Sequence, residues 1–189
     1  MNRLLQRPLN SNNIVVCEIF FAYLIFQTHN IEKTHFQFEF EAYEKIEKLP
    51  EQDQKLLKEA IQTAKKAYAP YSLFNVGAAV LLENNQIVTG NNQENAAYPS
   101  GLCAERVALF YANANFPDQK VTSIAIVALK NDELIDHVVT PCGSCRQAML
   151  ETEIRFNSPI RIIMGGKNGF WVVPKAQYML PLSFTGDSL

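Results

Sequence analysis

Three cysteines and one glutamate in this chain have the residue types and the spacing of a catalytic zinc site. The segment CAE supplies the thiol of Cys103 and the carboxylate of Glu105, and the segment PCGSC supplies the thiols of Cys142 and Cys145. Thiolate sulfur is a preferred zinc ligand, and three protein ligands leave a fourth position for the water that hydrolysis consumes. Glu105 lies too close to Cys103 in sequence to be a natural fourth ligand, so we expect it to move protons. The pattern predicts metal-assisted hydrolysis.

Other uses of the four cysteines remain open at this point. Two disulfides would need an oxidising compartment and are usual in smaller domains. A Cys-x-x-Cys pair can also be a thioredoxin-like redox motif. A redox motif would not explain the CAE segment upstream, which favours zinc. Cys17 lies outside the pattern, and we expect it to pack as a small hydrophobic residue or to remain a free thiol.

The composition limits the class of protein and its partners. With 189 residues, 48% of them hydrophobic, the chain can build one domain with a substantial core. Its net charge of −2 provides no basic face for nucleic acid. We therefore expect a small-molecule substrate, with neither nucleic acid nor a membrane as partner. Three free thiolates must persist to hold the metal, which predicts a reduced, cytoplasmic setting.

Local signals agree with one another after residue 50 and conflict before it. Residues 14–26 form an apolar run behind two arginines, which invites a signal-peptide or anchor interpretation. Glu18 interrupts the run, no small-x-small cleavage site follows, and a membrane span needs roughly 20 residues. We predict that residues 1–33 are a non-conforming extension, consistent with a start codon assigned too far upstream. Residues 34–189 are predicted to form a single domain.

Periodicity predicts the elements that must position the cysteines. The predicted order is a short strand at 36–40, a helix at 51–67, strands at 74–82 and 86–89, a loop at 91–101, a helix at 103–114, a strand at 122–129, a helix at 142–151, a strand at 159–164 and a last short strand at 171–173. This order predicts an α/β fold with a mixed sheet flanked by helices. Cys103 and Cys142 both fall at helix N-termini, where backbone N–H groups and the helix dipole favour thiolate.

The chain resembles the cytidine deaminases, in the small form that uses three cysteines. The matching stretches are FNVGAAV at 74–80, NNQENAAYPSGLCAERVAL at 91–109 and PCGSCRQ at 141–147, and the resemblance extends over roughly residues 50–185. It implies a three-layer α/β/α fold. It also implies zinc-dependent hydrolysis of cytidine and 2′-deoxycytidine to uridine and 2′-deoxyuridine, with release of ammonia, in pyrimidine salvage.

The resemblance implies roles around the metal. Cys103, Cys142 and Cys145 would hold one Zn²⁺ per subunit, and Glu105 would carry a proton from water to ring N3 and then to the leaving ammonia. Zinc with three thiolates has a net charge of about −1, which weakens it as a Lewis acid. The positively charged residues expected to offset this charge beside the sulfurs are Arg106 and Arg146.

The resemblance also implies how the nucleoside is held. Phe74 would stack on the pyrimidine, Asn92 and Glu94 would bind the sugar, and the backbone N–H of Ala104 would meet the base carbonyl. The flanking Asn95 and Tyr98 are further expected substrate-binding residues. Phe184 matches an aromatic residue that reaches the active site of a neighbouring subunit in tetrameric relatives. This match supports a homotetramer, although docking of the C-terminus onto its own core would explain the residue equally well.

Two other functions compete with this interpretation. A blasticidin-S-type deaminase shares the CAE and PCGxCRQ segments, but the loop from Asn92 to Asn95 favours a ribosyl substrate. A structural zinc protein without turnover would need a fourth protein ligand to close the site. His137, shortly before Cys142, is the candidate for that ligand.

Overall fold

The computed structural model describes residues 33–189, and its backbone contacts divide the chain between Gln37 and Phe38. The fold described below is that of residues 38–189. The apolar run at 14–26 and Cys17 lie outside the described residues. The division of the chain at residue 33 therefore stays a prediction. Among the described residues, no helix has both the length and the apolar character needed to cross a membrane.

Seven strands and three α-helices make up residues 38–189. In chain order they are β1 (Glu41–Tyr43), α1 (Glu51–Ala64), β2 (Asn75–Leu82), β3 (Ile87–Asn91), α2 (Ala104–Asn115), β4 (Val121–Lys130), β5 (Glu133–Leu134), α3 (Gly143–Phe156), β6 (Arg161–Gly166) and β7 (Gly169–Val173). The strands form one sheet in the order β1-β7-β6-β4-β2-β3, and β5 pairs with the end of β4. Strands β4 and β6 are parallel and the other pairs are antiparallel, so the sheet is mixed as predicted.

The central strand β4 separates two hydrophobic cores. Ile124 and Ile126 face the core that α2 and α3 cover. Ala125, Val127 and Leu129, on the opposite face, pack in the core that α1 covers. Because successive side chains of a strand point to opposite faces, a continuously apolar strand serves both layers. The predicted three-layer α/β/α architecture is confirmed.

Two glycines allow the helices to approach the sheet closely. A Cβ on Gly77 of β2 would lie 2.0 Å from the Ala60 carbonyl oxygen of α1. A Cβ on Gly90 of β3 would lie 2.6 Å from the backbone nitrogen of Ala108 in α2. Neither contact is sterically possible for another residue without movement of a helix. The second contact fixes the depth of α2, the helix that begins next to Cys103.

The predicted N-terminal strand is displaced in the structure. The residues that pair with β7 are Glu41–Tyr43, whereas a strand was expected at 36–40. Phe38 and Phe40 lie before this strand, and their rings contact one another, with Phe40 also on Trp171. The alternation of aromatic residues therefore reflects packing along the sheet edge rather than strand pairing. Helix α1 is also shorter than predicted, because i→i−3 bonds at Lys66 and Ala67 end it after Ala64.

Candidate active site

The three predicted zinc ligands converge where two helices begin. Cys103 is the N-cap of α2, Cys142 is the N-cap of α3, and Cys145 lies in the first turn of α3. The Cys142 Sγ lies 3.9 Å from the Cys103 Sγ and 3.5 Å from the Cys145 Sγ, and all three sulfurs lie within 4.8 Å of one another. Three sulfurs around a tetrahedral zinc, at Zn–S of about 2.3 Å, would be about 3.8 Å apart. The donor set therefore fits zinc in both chemistry and spacing.

Nothing in the described part of the chain closes this cluster with a fourth side chain. Within residues 33–189, no histidine or carboxylate joins the three sulfurs in the metal-ligand group. His137 instead lines a separate cavity with Phe74. Cys103, Cys142 and Cys145 are free cysteines, with no disulfide among them. The arrangement is that of an open zinc site rather than a closed structural one.

Cys103 is deprotonated more readily than Cys145, because their pKa values are shifted in opposite directions. The hydrogen bond from Cys145, followed by those from Arg106 and Cys142, lowers the pKa of Cys103 to about 5 despite burial. The same bond to Cys103, together with burial, raises the pKa of Cys145. The Arg106 Nη2 lies 3.8 Å from the Cys103 Sγ, as expected for a guanidinium that offsets thiolate charge. One thiolate is thus stabilised by the protein itself.

Glu105 is a buried carboxyl group next to these thiols. Glu105 lies in the first turn of α2, and only 4% of its surface is exposed. Burial raises the pKa of Glu105, and the charge of Cys103 raises it further. A carboxyl group with a raised pKa is a stronger proton acceptor than an exposed one, which suits a group that must both accept and donate a proton.

A cavity of about 470 Å³ opens at the Cys103 side of the cluster. Its lining includes the predicted substrate-binding residues Asn92, Glu94, Asn95 and Tyr98, together with Arg106. Pockets of this size take small molecules. Two predicted residues lie elsewhere. Phe74 lines a separate cavity beside Leu134 and His137, and Ala104 is completely buried and does not line the cavity at Cys103.

Asn92 joins the cavity wall to the start of β2. Its Oδ1 accepts from the Val76 N–H at 2.7 Å, and its Nδ2 donates to the Phe74 carbonyl at 2.9 Å. The amide thus replaces a backbone partner on both sides of Asn75, and it fixes the backbone of Phe74. Sequence reasoning missed this role, because the two partners lie 16 and 18 residues earlier in the chain, at the start of β2 and just before it.

Glu94 is bound to the turn that precedes β2. Its carboxylate accepts from the Tyr71 N–H at 2.9 Å, from the Ser72 N–H at 3.3 Å and from the Ser72 hydroxyl. The Ser72 hydroxyl, followed by the Tyr71 N–H, lowers the pKa of Glu94. Tyr71 and Ser72 also line the cavity and were not among the predicted site residues. The segment YAPYS, at residues 68–72, indicated the end of a helix but not that this turn would bind Glu94.

Arg146 and Phe184 also differ from the simplest expectation. Arg146 donates to three oxygen atoms, those of Pro141, Met179 and Thr140, instead of to sulfur. Phe184 is 60% exposed, and its carbonyl accepts from the Gln147 side chain at 2.8 Å. Its ring is therefore not docked into the core of its own subunit.

Comparisons with known proteins agree with this geometry. The family model for the "cytidine and deoxycytidylate deaminase zinc-binding region" matches residues 50–157. A cytidine deaminase of Halalkalibacterium halodurans is 38% identical over 136 residues, which cover 72% of this chain and 96% of that protein. One of Mycobacterium tuberculosis is 38% identical over 117 residues, covering 60% of this chain and 84% of that protein.

Solved structures show the same likeness. The crystal structure of cytidine deaminase from Burkholderia pseudomallei superimposes with a TM-score of 0.59 at 35% identity, covering 69% of this chain and 97% of that chain. The enzyme from M. tuberculosis gives a TM-score of 0.54 at 30% identity, covering 69% of this chain and 95% of that chain. With its three convergent thiols and its buried glutamate, the chain belongs to the cytidine and deoxycytidylate deaminase family of zinc-dependent enzymes.

Proposed function

We propose that this protein hydrolyses cytidine and 2′-deoxycytidine to uridine and 2′-deoxyuridine, releasing ammonia, in pyrimidine salvage. The observation that carries the proposal is the convergence of three sulfurs within 4.8 Å, beside a buried Glu105 and at a cavity of nucleoside size. A metal-assisted hydrolysis needs these parts together: a site for the metal, a proton carrier and room for a small substrate.

Cys103, Cys142 and Cys145 would hold one zinc ion per subunit. When bound, zinc supplies the Lewis acidity that makes water nucleophilic at neutral pH. Arg106 offsets the charge of the Cys103 thiolate from 3.8 Å. Glu105 would carry two protons in turn: the first passes from the attacking water to ring N3, where it stays in the product, and the second passes from the new C4 hydroxyl to the amine, which leaves as ammonia while the C4 carbonyl forms. Its burial favours the protonated form that the second half of this cycle requires.

The residues of the cavity wall would hold the nucleoside. Asn92 retains one unused N–H and one unused lone pair after its two backbone bonds. An ionised carboxylate has about four acceptor positions, so Glu94 can accept from a sugar hydroxyl as well as from the turn. Asn95 and Tyr98 complete the wall. Phe74 would have to turn from the separate cavity that it lines to stack on the base, and the buried N–H of Ala104 would meet the base carbonyl. Substrate-binding side chains in this proposal are thus also structural ones.

We further propose that the enzyme is a cytoplasmic homotetramer. Exposure of Phe184 supports a role in a neighbouring subunit, because the ring is available to reach outside its own core. Residues 1–33 would be dispensable. Deleting them should leave zinc content, tetramer mass and turnover unchanged. Aggregation or dissociation of the shortened protein would show instead that the apolar run at 14–26 is a packed element.

The test is ammonia release by purified protein. Cytidine and 2′-deoxycytidine should be turned over, and activity should disappear on chelation and return with zinc. Blasticidin S serves as the competing substrate, and Glu105→Gln protein is the matched control for contaminating activity. A protein that binds zinc but deaminates neither nucleoside would refute the proposal.

A further inference from the structure

We infer that Arg146 is a positioning residue that ties the turn carrying Cys142 to the C-terminal segment, defined here as residues 176–184. The inference rests on the proposed assignment of Cys103, Cys142 and Cys145 as zinc ligands. It assigns Arg146 a role different from direct contact with sulfur, because each of its side-chain hydrogen bonds within residues 38–189 ends on oxygen.

Arg146 makes three hydrogen bonds to the ligand turn, which is the turn of Thr140, Pro141 and Cys142. The Arg146 backbone N–H donates to the Cys142 carbonyl at 3.0 Å, and its Nε donates to the Pro141 carbonyl at 2.8 Å. Its Nη2 also reaches the Thr140 hydroxyl at 3.3 Å. Pro141 is buried, so its carbonyl needs a hydrogen-bond donor from the protein. Arg146 supplies that donor immediately before a zinc ligand.

The third donor of the same guanidinium binds the C-terminal segment. Arg146 Nη1 donates to the Met179 carbonyl at 3.2 Å. Planar guanidinium holds its N–H groups in a fixed fork, so the acceptors at Pro141 and Met179 are held at a fixed separation. A lysine has a single point of charge and could not serve both in this geometry.

Helix α3 holds the C-terminal segment at two further points. Glu153 accepts from the Ala176 N–H at 2.6 Å and from the Gln177 N–H at 3.2 Å. Gln147 donates to the Phe184 carbonyl at 2.8 Å. Within residues 38–189, neither side chain hydrogen-bonds to the ligand turn, whereas that of Arg146 does. Arg146 therefore links the position of this segment to that of Cys142.

Side chains that orient metal ligands typically contribute about 10- to 100-fold to metal affinity. The experiment measures the rate of zinc transfer from loaded, full-length protein to a chromophoric chelator. Arg146→Gln should release zinc about 10- to 100-fold faster than the wild type, and Arg146→Lys should lie between the two. Arg155→Gln is the matched control, because Arg155 is also on α3 and donates to a carbonyl, that of Pro117, at 2.9 Å. It should release zinc at the wild-type rate.

A second variant and a second readout separate positioning from general loosening. Gln147→Ala should expose the C-terminal residues to protease while the rate of zinc release stays unchanged. The substitution removes only the bond to the Phe184 carbonyl and leaves the Arg146 bonds in place. In Co²⁺-substituted protein, Arg146→Gln should shift the sulfur-to-cobalt charge-transfer band and Gln147→Ala should not. If Arg146→Gln does not fold, Arg146→Lys carries the comparison by the same two readouts.

Three results would overturn the inference. They are zinc release from both Arg146 variants at the Arg155→Gln rate, an unshifted cobalt spectrum, or equal acceleration by Gln147→Ala. Failure of the ligand assignment is distinguishable. It would appear as wild-type protein that binds no zinc, or as Cys142→Ser protein that retains it.

Discussion

The sulfur cluster and the cavity wall use polar side chains in opposite ways. In the cluster, Cys142 contacts the other two thiols, and Arg106 contacts Cys103, so the side chains converge on a common point. In the wall, Asn92 and Glu94 bind the backbone of residues 71–76. The side chains of the cluster are arranged around a position that a metal can occupy. Those of the wall hold the backbone of the neighbouring loop in place, and they would bind a ligand only in addition to this. Residues of the same sequence motif can therefore differ in how much they stabilise the fold.

Removing one sulfur should produce the largest effect, because it breaks the cluster as a unit. Cys142→Ala should lose bound zinc, nearly all turnover and much of the folding stability, since metal-binding free energy is also folding free energy. Metal analysis and thermal unfolding would measure this. Chelated wild-type protein is the matched control and should unfold at nearly the same temperature as the variant. Full zinc occupancy in Cys142→Ala would contradict the assignment.

Glu105→Gln should abolish chemistry while leaving the cluster intact. The amide keeps the size of the side chain but cannot carry a proton, so turnover should fall by at least about 10²- to 10⁴-fold. Zinc content should stay at the wild-type value, which separates this effect from that of Cys142→Ala. Single-turnover assays with cytidine would measure it. A variant that retains a tenth of the activity would exclude Glu105 as the proton carrier.

The cluster could be predicted from sequence because its determinants are local. Cys103 and Glu105 share one helical turn, and Cys142 and Cys145 share another, so spacing alone places each pair. The order of helices and strands along the chain after residue 50 followed from apolar periodicity for the same reason. Only the meeting of the two helix N-termini required the tertiary fold.

The cavity wall and Arg146 could not be predicted in this way. The partners of Asn92 lie at the start of β2 and just before it, and those of Arg146 include Met179, far along the chain. Residue type indicates that an amide or a guanidinium will find acceptors, but not which ones. The displaced strand β1 has a similar cause, because alternating aromatic residues indicate an exposed sheet edge as well as a strand.

Asn92→Ala tests how much the cavity wall contributes to the stability of the fold. The change leaves the Val76 N–H and the Phe74 carbonyl without their side-chain partner, at a cost of about 1–3 kcal/mol for each unsatisfied group that stays buried. The free energy of unfolding, measured by denaturant titration of zinc-loaded protein, should fall accordingly. Gln93→Ala is the matched control, because Gln93 is exposed and its side chain, among the described residues, donates to the side-chain amide oxygen of Asn91 rather than to the backbone. An unchanged unfolding free energy in Asn92→Ala would mean that the residue serves the substrate alone.

Glu94→Gln tests whether one wall residue both builds the turn and reads the sugar. Nucleosides should lose more kcat/KM than free cytosine, because only they present a hydroxyl to the carboxylate. Ser72→Ala removes the hydroxyl group that donates to Glu94. Because this change affects the turn and not the sugar contact, it should reduce kcat/KM equally for nucleosides and for free cytosine. Equal losses for nucleoside and cytosine in Glu94→Gln would assign Glu94 to the turn alone.

The smallest expected effect is the pH dependence of that same turn. Hydrogen bonds from Ser72 and Tyr71 hold the pKa of Glu94 below its ordinary value of 4.5. A carboxylate whose pKa is lowered on folding contributes stability that is fully present above the unfolded pKa and is lost as pH falls through the folded pKa. The extra protection of the Tyr71 and Ser72 amides from hydrogen exchange, measured relative to Glu94→Gln at each pH, should therefore be constant above pH 4.5. It should be lost as the pH falls further, through the lowered pKa of Glu94. In Ser72→Ala the pKa of Glu94, followed by NMR titration, should move up towards 4.5, because the Ser72 hydroxyl is the largest cause of the shift. A Glu94 pKa that is the same in Ser72→Ala and wild type would show that the carboxylate is held by something other than this turn, and the contrast between cluster and wall would then fail at the residue that defines it.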